Sequence, residues 1–305
     1  MINFPMFYNS FRNFPAFAKI IEVAPRDGLQ NEKACLSIAN KIRLIKKLED
    51  CGLSHIEVGS IVNPKLVPQM ANSSDLVNFL NNKNSTYSFL TPSIKGYSQI
   101  VNKKNVFDLN SQVNEIVLFT AASETFNQKN INCSIKESFE RFKPIIQQAQ
   151  KDKVRIRGSI SCSLGCPYEG IVSPNKVVDI INRYFDLNVD LIDIADTIGV
   201  GTSKDISKIL DEASKNIPMK YLTGHFHDTN YKALDLVHTC LNYGINTFHS
   251  SIGGIGGCPF SPTRAGNLST EHLVEYLHSI GIHTGINLNK LKSTSSWASD
   301  LIKNN

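Results

Sequence analysis

Residues 19–32 read KIIEVAPRDGLQNE. Lys19–Val23 is a β-rich run, and the turn after it decides the fold. A doubly wound dinucleotide-binding sheet ends its first strand in a glycine-rich G-x-G-x-x-G turn that receives phosphate on bare backbone. Here the chain turns through Ala24-Pro25-Arg26-Asp27-Gly28, which sets a cation beside a carboxylate and carries no such spacing. Working outward, β-rich runs recur at His55–Gly59, Tyr87–Leu90, Glu115–Thr120, Val154–Cys162, Asp190–Asp196, Tyr221–His227 and Thr247–Ile252. Between them lie segments with helical periodicity. Ile38, Ile42, Ile45 and Leu48 form one apolar stripe, and Ala233, Val237, Cys240 and Leu241 another, ahead of a C-capping Gly244. Ser134–Lys151, Pro174–Leu187, Ser203–Asn216 and Ser269–Ile280 each open on a Ser or Ser-Pro cap signal.

Eight strands alternating with helices, with no Gly-, Ser- or Pro-rich linker, predict an α/β chain folded as one closed TIM (β/α)8 barrel. Such a barrel takes ~250 residues, and 305 are present. The spacing predicts an N-terminal arm over 1–18, the barrel over 19–292 with a lid loop near 251–267, and a C-terminal tail over 293–305. The aromatic, Pro-broken start has neither a continuous apolar segment nor a small-residue cleavage site, so it reads as a packed arm rather than a signal peptide.

The bulk composition excludes several classes. With 41% hydrophobic and 19% charged residues the chain can bury a large core. A net charge of +5 without a dense Lys/Arg block argues against nucleic acid as a partner, while a mild positive field suits an anionic small molecule. No stretch reaches the ~20 apolar residues of a membrane span. Seven cysteines at irregular spacings, with no C-x-x-C, read as reduced thiols in a cytoplasmic type of compartment.

A barrel draws its active-site groups from the C-terminal strand ends and the loops after them. Those ends supply Arg26, Asp27, Glu57, Thr91, Ser123, Ser161, Asp196, His225 and His227. Positions i and i+2 of a strand share a face, so His225 and His227 aim together at the barrel axis. With Asp27 they make two imidazoles and a carboxylate, a donor set suited to Mg²⁺ or Mn²⁺ and compatible with Zn²⁺, Fe²⁺ or Co²⁺. The plainer alternative is a hydrogen-bonded core pair of histidines. Arg26 either neutralises charge developing on a substrate oxygen or forms a surface ion pair with Asp27. Glu57 and Asp196 end apolar strands, where a lone carboxylate is costly unless paired or metal-linked; Arg157 is placed to balance one of them. In SSIGGIGGCPFSPTRAGNLSTE (250–271), four glycines in five residues suit a mobile lid with Cys258 at its tip, the alternative being a surface loop with an ordinary thiol. Asn267 either caps the last helix or lends its amide oxygen to a metal.

EVAPRDGLQNEK, IEVGSIVNPKLVPQM, AASETFNQKNINCSIKESFERF, SCSLGCPYEGIVSP, DTIGVGT, HFHDT and GGIGGCPFSPTRAGNLSTE resemble, in order, the motifs of the hydroxymethylglutaryl-CoA lyases, from about Ile20 to Leu291. The resemblance implies cleavage of 3-hydroxy-3-methylglutaryl-CoA to acetoacetate and acetyl-CoA. It puts Asp27, His225, His227 and Asn267 at divalent-metal positions, and Arg26, Glu57, Asp196, His225 and Cys258 at catalytic ones, Arg26 also binding substrate. An acyl-CoA substrate, a homodimer, no nucleic-acid or membrane partner, and a bacterial cytoplasm or mitochondrial matrix are the corresponding expectations. Ala24 stands where glycine is usual, Asp193 and Ala195 where serine and glycine are, and His249 where an acid is typical, while TNYKAL replaces a tyrosine-glycine pair. These departures bear on substrate preference rather than on reaction type. One rival is a condensing synthase of the same metal-dependent superfamily, which needs no Cys258 lid and usually carries a further regulatory domain; the chain's ending soon after the barrel counts against it. A non-catalytic metal- or CoA-binding scaffold is the other.

Overall fold

The structure, a computed structural model, describes residues 14–101, 113–229, 231–256 and 266–304. Eight parallel strands pair in sequence order: β1 (Lys19–Glu22), β2 (His55–Ser60), β3 (Thr86–Leu90), β4 (Val113–Ala121), β5 (Arg155–Ser161), β6 (Leu191–Asp196), β7 (Leu222–Phe226) and β8 (Thr247–Ser250). Strand β8 returns to β1, Lys19 facing Thr247 and Glu22 facing Ser250, so the sheet closes into the expected barrel and leaves no edge. Around it run α1 (Ile38–Asp50), α2 (Ser73–Leu76), α3 (Ile94–Val101), α4 (Glu124–Ile131), α5 (Ile135–Lys151), α6 (Pro174–Asp186), α7 (Ser203–Ala213), α8 (Ala233–Asn242), α9 (Thr270–Ser279) and α10 (Leu288–Lys303).

Caps and apolar stripes account for the long helices. Ser134 accepts from the Glu137 backbone while Glu137 reaches back to the Ser134 N–H, a reciprocal box that opens α5. That helix buries Phe139, Phe142, Ile145 and Ile146, each such side chain contributing about 1.5–3 kcal/mol. The cap of α7 is Thr202 rather than Ser203, because Thr202 and Asp205 form a second box of the same kind one residue earlier. Helix α1 starts on Ser37, whose hydroxyl accepts from Asn40 N, and buries Leu44, Ile45 and Leu48.

Both expected chain ends take part in the packing. Within the 1–18 arm only 14–18 lie among the described residues; there Ala18 N donates to His283 O at 2.9 Å and His283 N to Ala16 O at 3.1 Å. The tail expected from 293 is the greater part of α10, with Leu291, Thr294 and Ala298 buried. Its polar spacing hides the helix from a periodicity reading, yet Asn287 caps it by accepting from Lys290 N.

Candidate active site

The stretch that decides the fold also builds one wall of the site. After β1 the chain makes a single π turn, Ala24–Gly28, with Pro25 in its first turn. Buried Glu22 anchors its surroundings, accepting from Ala24 N (2.9 Å), Ile252 N (3.0 Å) and Thr270 Oγ1 (2.7 Å). Gly253, Gly254 and Gly256 of the 250–271 segment meet local steric demands. Their φ angles are 65°, 63° and 90°. A Cβ on Gly256 would stand 2.7 Å from Gly28 Cα and 3.0 Å from Asn267 Nδ2. Bare backbone lets this segment press against the Arg26-Asp27 turn. Cys258 and Gly257 lie outside the described residues.

Asp27, His225 and His227 converge: one ligand atom from each lies within 4.8 Å of the others, and all three residues are buried. His225 Nε2 and His227 Nε2 stand 3.9 and 3.7 Å from Asp27 Oδ2. Those gaps exceed hydrogen-bond reach, yet lie within the ~4.2 Å across which two ligands with ~2.1 Å bonds can share one ion. His227 Nδ1 is buried with no hydrogen-bond partner among the described residues. The donor set and its spacing therefore fit a divalent cation better than they fit a core pair of histidines. Asn267 donates to Asp27 Oδ2 at 2.8 Å and sits opposite His227 in a one-residue bridge. It does not cap a helix, since Ser269 caps α9 and the last helix is α10. A half-turn of its amide would bring the oxygen to the same side.

Arg26 fills the other side. Its Nη1 donates to Asp27 Oδ1 at 2.7 Å and its Nε to Glu57 Oε1, and its side chain is only 12% exposed. The expected surface ion pair is thus a nearly dry one. Gln30 adds a 3.2 Å hydrogen bond to the same Asp27 oxygen. Burial alone would raise the Asp27 pKa, but Arg26 and the two imidazoles hold it well below the usual carboxylate range. Burial, helped by the neighbouring His249 ring and opposed by Asp27, pushes His225 down to about 3. His225 is therefore neutral at pH 7 and keeps a nitrogen lone pair for a metal.

Arg26, Asp27, His225 and His227 line a cavity of about 690 Å³, together with Ser159 and Ser161 of β5 and with Lys129 and Arg141 towards its outer side. Glu57 and Asp196 are not among the lining residues. Glu57 is fully buried beneath Arg26, and its second oxygen accepts from Arg157 at 2.6 Å. Asp196 stands behind Ala195 and Thr197, which do line the cavity. Its carboxylate accepts from Gly201 N at 2.8 Å and Val200 N at 3.2 Å. Burial raises its pKa against those hydrogen bonds.

Below this level Arg157 gathers three carboxylates: Glu57, Glu115 at 2.9 Å and Asp193 at 2.8 Å. It balances Glu57, as the alternation of β5 suggests, but it does not reach Asp196. Asp193 and His249, two of the departures from the family pattern, prove to be neighbours, with His249 Nε2 3.3 Å from Asp193 Oδ1. Sequence reasoning missed Gln30 and Glu115. The signals were present: Gln30 lies three residues after Asp27, and Glu115 is a lone acid in the apolar run NEIVLF.

The HMGL-like family model matches residues 18–297. The chain belongs to the HMGL-like family. Among its relatives is the human mitochondrial hydroxymethylglutaryl-CoA lyase, 43% identical over 290 residues, covering 95% of this chain and 87% of that protein. The 3-hydroxy-3-isohexenylglutaryl-CoA/hydroxymethylglutaryl-CoA lyase of Pseudomonas aeruginosa is 42% identical over 280 residues, 92% and 91% of the two chains. An HMG-CoA lyase of Acinetobacter baumannii, solved with coenzyme A and 3-methylmalate, superposes with a TM-score of 0.87 at 33% identity, over 97% and 93% of the two chains. This HMGL-like chain thus shares fold and length with proteins named as lyases of acyl-CoA substrates.

Proposed function

We propose that this HMGL-like protein is a divalent-metal-dependent lyase that cleaves 3-hydroxy-3-methylglutaryl-CoA into acetoacetate and acetyl-CoA. The observation that carries the reading is the Asp27–His225–His227 cluster set beside Arg26 in one cavity. Asp27, His225 and His227, with Asn267 after an amide half-turn, would hold the cation. Oxygen and nitrogen donors without thiolate favour Mg²⁺ or Mn²⁺. When bound, such an ion supplies Lewis acidity that lowers the pKa of a hydroxyl placed against it.

The chain's own residues do the rest. The nitrogen of His225 that faces Asp27 would be taken up by the cation, so the proton of the substrate's 3-hydroxyl is assigned to Asp196, which stands behind the cavity wall and would receive it through one intervening water; its raised pKa suits a general base. As that oxygen becomes a ketone, the C2–C3 bond breaks and its electron pair passes into the thioester as an enolate. Arg26, charged at any working pH and held by Glu57 from behind, stabilises the enolate oxygen. Protonation at C2 gives acetyl-CoA, and Cys258 is the proposed donor of that proton. Asp196→Asn and Cys258→Ser are each expected to bind Mn²⁺ normally and lose most turnover. Near-normal turnover in either would move that proton elsewhere.

The protein is further proposed to act as a homodimer in a reducing compartment, bacterial cytoplasm or mitochondrial matrix. No disulfide joins any two of the described cysteines, and no helix among the described residues is long and apolar enough to cross a membrane. The deciding experiment is release of acetyl-CoA and acetoacetate from the acyl-CoA with Mg²⁺ or Mn²⁺, run beside condensation of acetyl-CoA with oxo acids. Condensation without cleavage would favour the synthase reading, and neither activity would favour a binding scaffold.

A further inference from the structure

Among the described residues Lys41 is the only lysine buried in the fold, with 1% of its surface exposed. It closes the first turn of α1, and no described carboxylate pairs with it. Its ammonium donates to Gln69 O and, at 2.7 Å, to Asn72 Oδ1. An ammonium can only donate, so the direction of both bonds is fixed and Asn72 must present its oxygen. Burial pushes the Lys41 pKa down from 10.5 to about 8, which leaves it a cation at pH 7. A buried cation without a counter-charge costs stability, and the N-terminal turn of a helix is the end that disfavours one. Packing alone would be better served by Leu or Met.

What the cation holds is the segment 62–72 between β2 and α2. Val62, Asn63, Leu66 and Val67 of that segment line the cavity. Its backbone hydrogen bonds are local: Leu66 N and Val67 N to Asn63 O, Met70 N to Val67 O, and Ala71 N to Pro68 O. Leu66 is 79% exposed, so packing does little to fix it. Among the described residues, the hydrogen bonds that tie the segment to distant parts of the chain are the two from Lys41 and one from Gln69 Nε2 to Glu32 O, at 2.6 Å. Glu32 directly follows Gln30 and Asn31, which line the cavity from the turn after β1. Lys41 and Gln69 thus join two walls of one cavity while touching neither the metal cluster nor the cavity itself.

We propose that Lys41 is a positioning residue for acyl-CoA binding: with Gln69 it clamps residues 62–72 to α1 and to the turn after β1, and so fixes the wall against which the substrate lies. The substrate belongs to the lyase reading given above, whereas the clamp is read from the hydrogen bonds alone.

Lys41→Met keeps the volume and removes the donors. With Mn²⁺ bound, its KM for 3-hydroxy-3-methylglutaryl-CoA is expected to rise about 10-fold or more, the equivalent of one hydrogen bond to a charged group. Turnover at saturation and Mn²⁺ affinity should stay near native. Hydrogen exchange should quicken at the amides of 62–72 and leave the β-strands unchanged, a local loosening that a general loss of stability does not produce. Gln69→Ala cuts the link to Glu32 from a less buried position and should raise KM in the same direction by less. An unchanged KM in folded Lys41→Met, or exchange that quickens throughout the barrel, would overturn the proposal. Should Lys41→Met fail to fold, Gln69→Ala decides, and a native KM there overturns it. If the native protein cleaves no acyl-CoA, the lyase reading fails, and calorimetric titration with coenzyme A takes the place of KM. Weaker coenzyme A binding in Lys41→Met would then uphold the clamp, and equal binding would overturn it.

Discussion

Two layers of charge share the inside of this barrel. The upper one, Arg26, Asp27, His225 and His227, lines a cavity of about 690 Å³. The lower one centres on Arg157, which is 1% exposed and holds Glu57, Glu115 and Asp193. Their residue types are much alike, and what separates them is access. In the lower layer Arg157 satisfies its donors on carboxylates, on Ser88 and on the His249 ring, within a space closed to solvent. The upper layer keeps the two imidazoles 3.7–3.9 Å from Asp27, beyond hydrogen-bond reach. Charges that satisfy one another fix geometry; charges held apart beside a cavity are available to a ligand. Glu57 couples the layers by giving one oxygen to each arginine. Barrel interiors are ordinarily packed with branched apolar side chains, so this one gives up hydrophobic core at mid-height for a rigid support under the site.

The largest effect should come from emptying the upper layer. Chelation is expected to abolish turnover and added Mn²⁺ to restore it, and the double variant Asp27→Ala/His227→Ala should show no metal-dependent rate in the acetyl-CoA assay. A fully active double variant would make the cluster structural. Breaking the lower layer should act on folding instead. Arg157→Met strands three buried carboxylates and is expected to cost about 3–5 kcal/mol in urea unfolding. A loss below about 1 kcal/mol, the scale of an exposed pair, would mean that the carboxylates repack without it.

Arg26→Gln tests the boundary between the layers. Removing one strong donor from a developing oxyanion costs about 3–4 kcal/mol in the barrier, or 10²–10³ in kcat. Because Arg157 still holds Glu57, stability should change far less than in Arg157→Met. Loss of stability with normal kcat would reassign Arg26 to the support.

The same division governs how far the sequence discloses these layers. The strands, the β7 histidines and the Arg26-Asp27 turn are legible because each is a local pattern: an apolar run, an i, i+2 pair, a charged turn where glycines would otherwise stand. The Arg157 cluster joins residues 36, 42 and 100 positions apart. No local period encodes such contacts, and Asp193 and His249 stood out singly before the structure made them neighbours. The glycines at 253, 254 and 256 carry a steric demand that the sequence alone does not display, a close approach at positive φ. Glycine in a sequence signals conformational freedom, but only coordinates distinguish a flexible loop from a tight approach at positive φ. Helix α10 was hidden by polar residues across much of its length, since its buried contacts are few.

The smallest expected effect concerns Glu115, which shares Arg157 with the upper layer's support yet touches none of the metal-site residues. Burial would raise its pKa, but His55 at 2.9 Å and Arg157 at 2.9 Å, with Arg155 further off, bring it from 4.5 to about 2. A carboxyl whose pKa is depressed by folding contributes stability above its unfolded pKa, and that contribution disappears as pH falls through the folded value. For Glu115 the window runs from about 4.5 down to about 2. At 1.36 kcal/mol per unit the contribution at neutral pH is at most about 3 kcal/mol. Glu115→Gln should therefore unfold at lower urea than the native protein at pH 7, and the two should approach each other as the pH is lowered from about 5 to 3. If the layers differ as described, its Mn²⁺ affinity at pH 7 will stay near native, because Arg157 keeps Glu57 and Asp193. An affinity that falls in step with stability would show that the two layers form one cooperative unit, and that the support cannot be loosened without loosening the site.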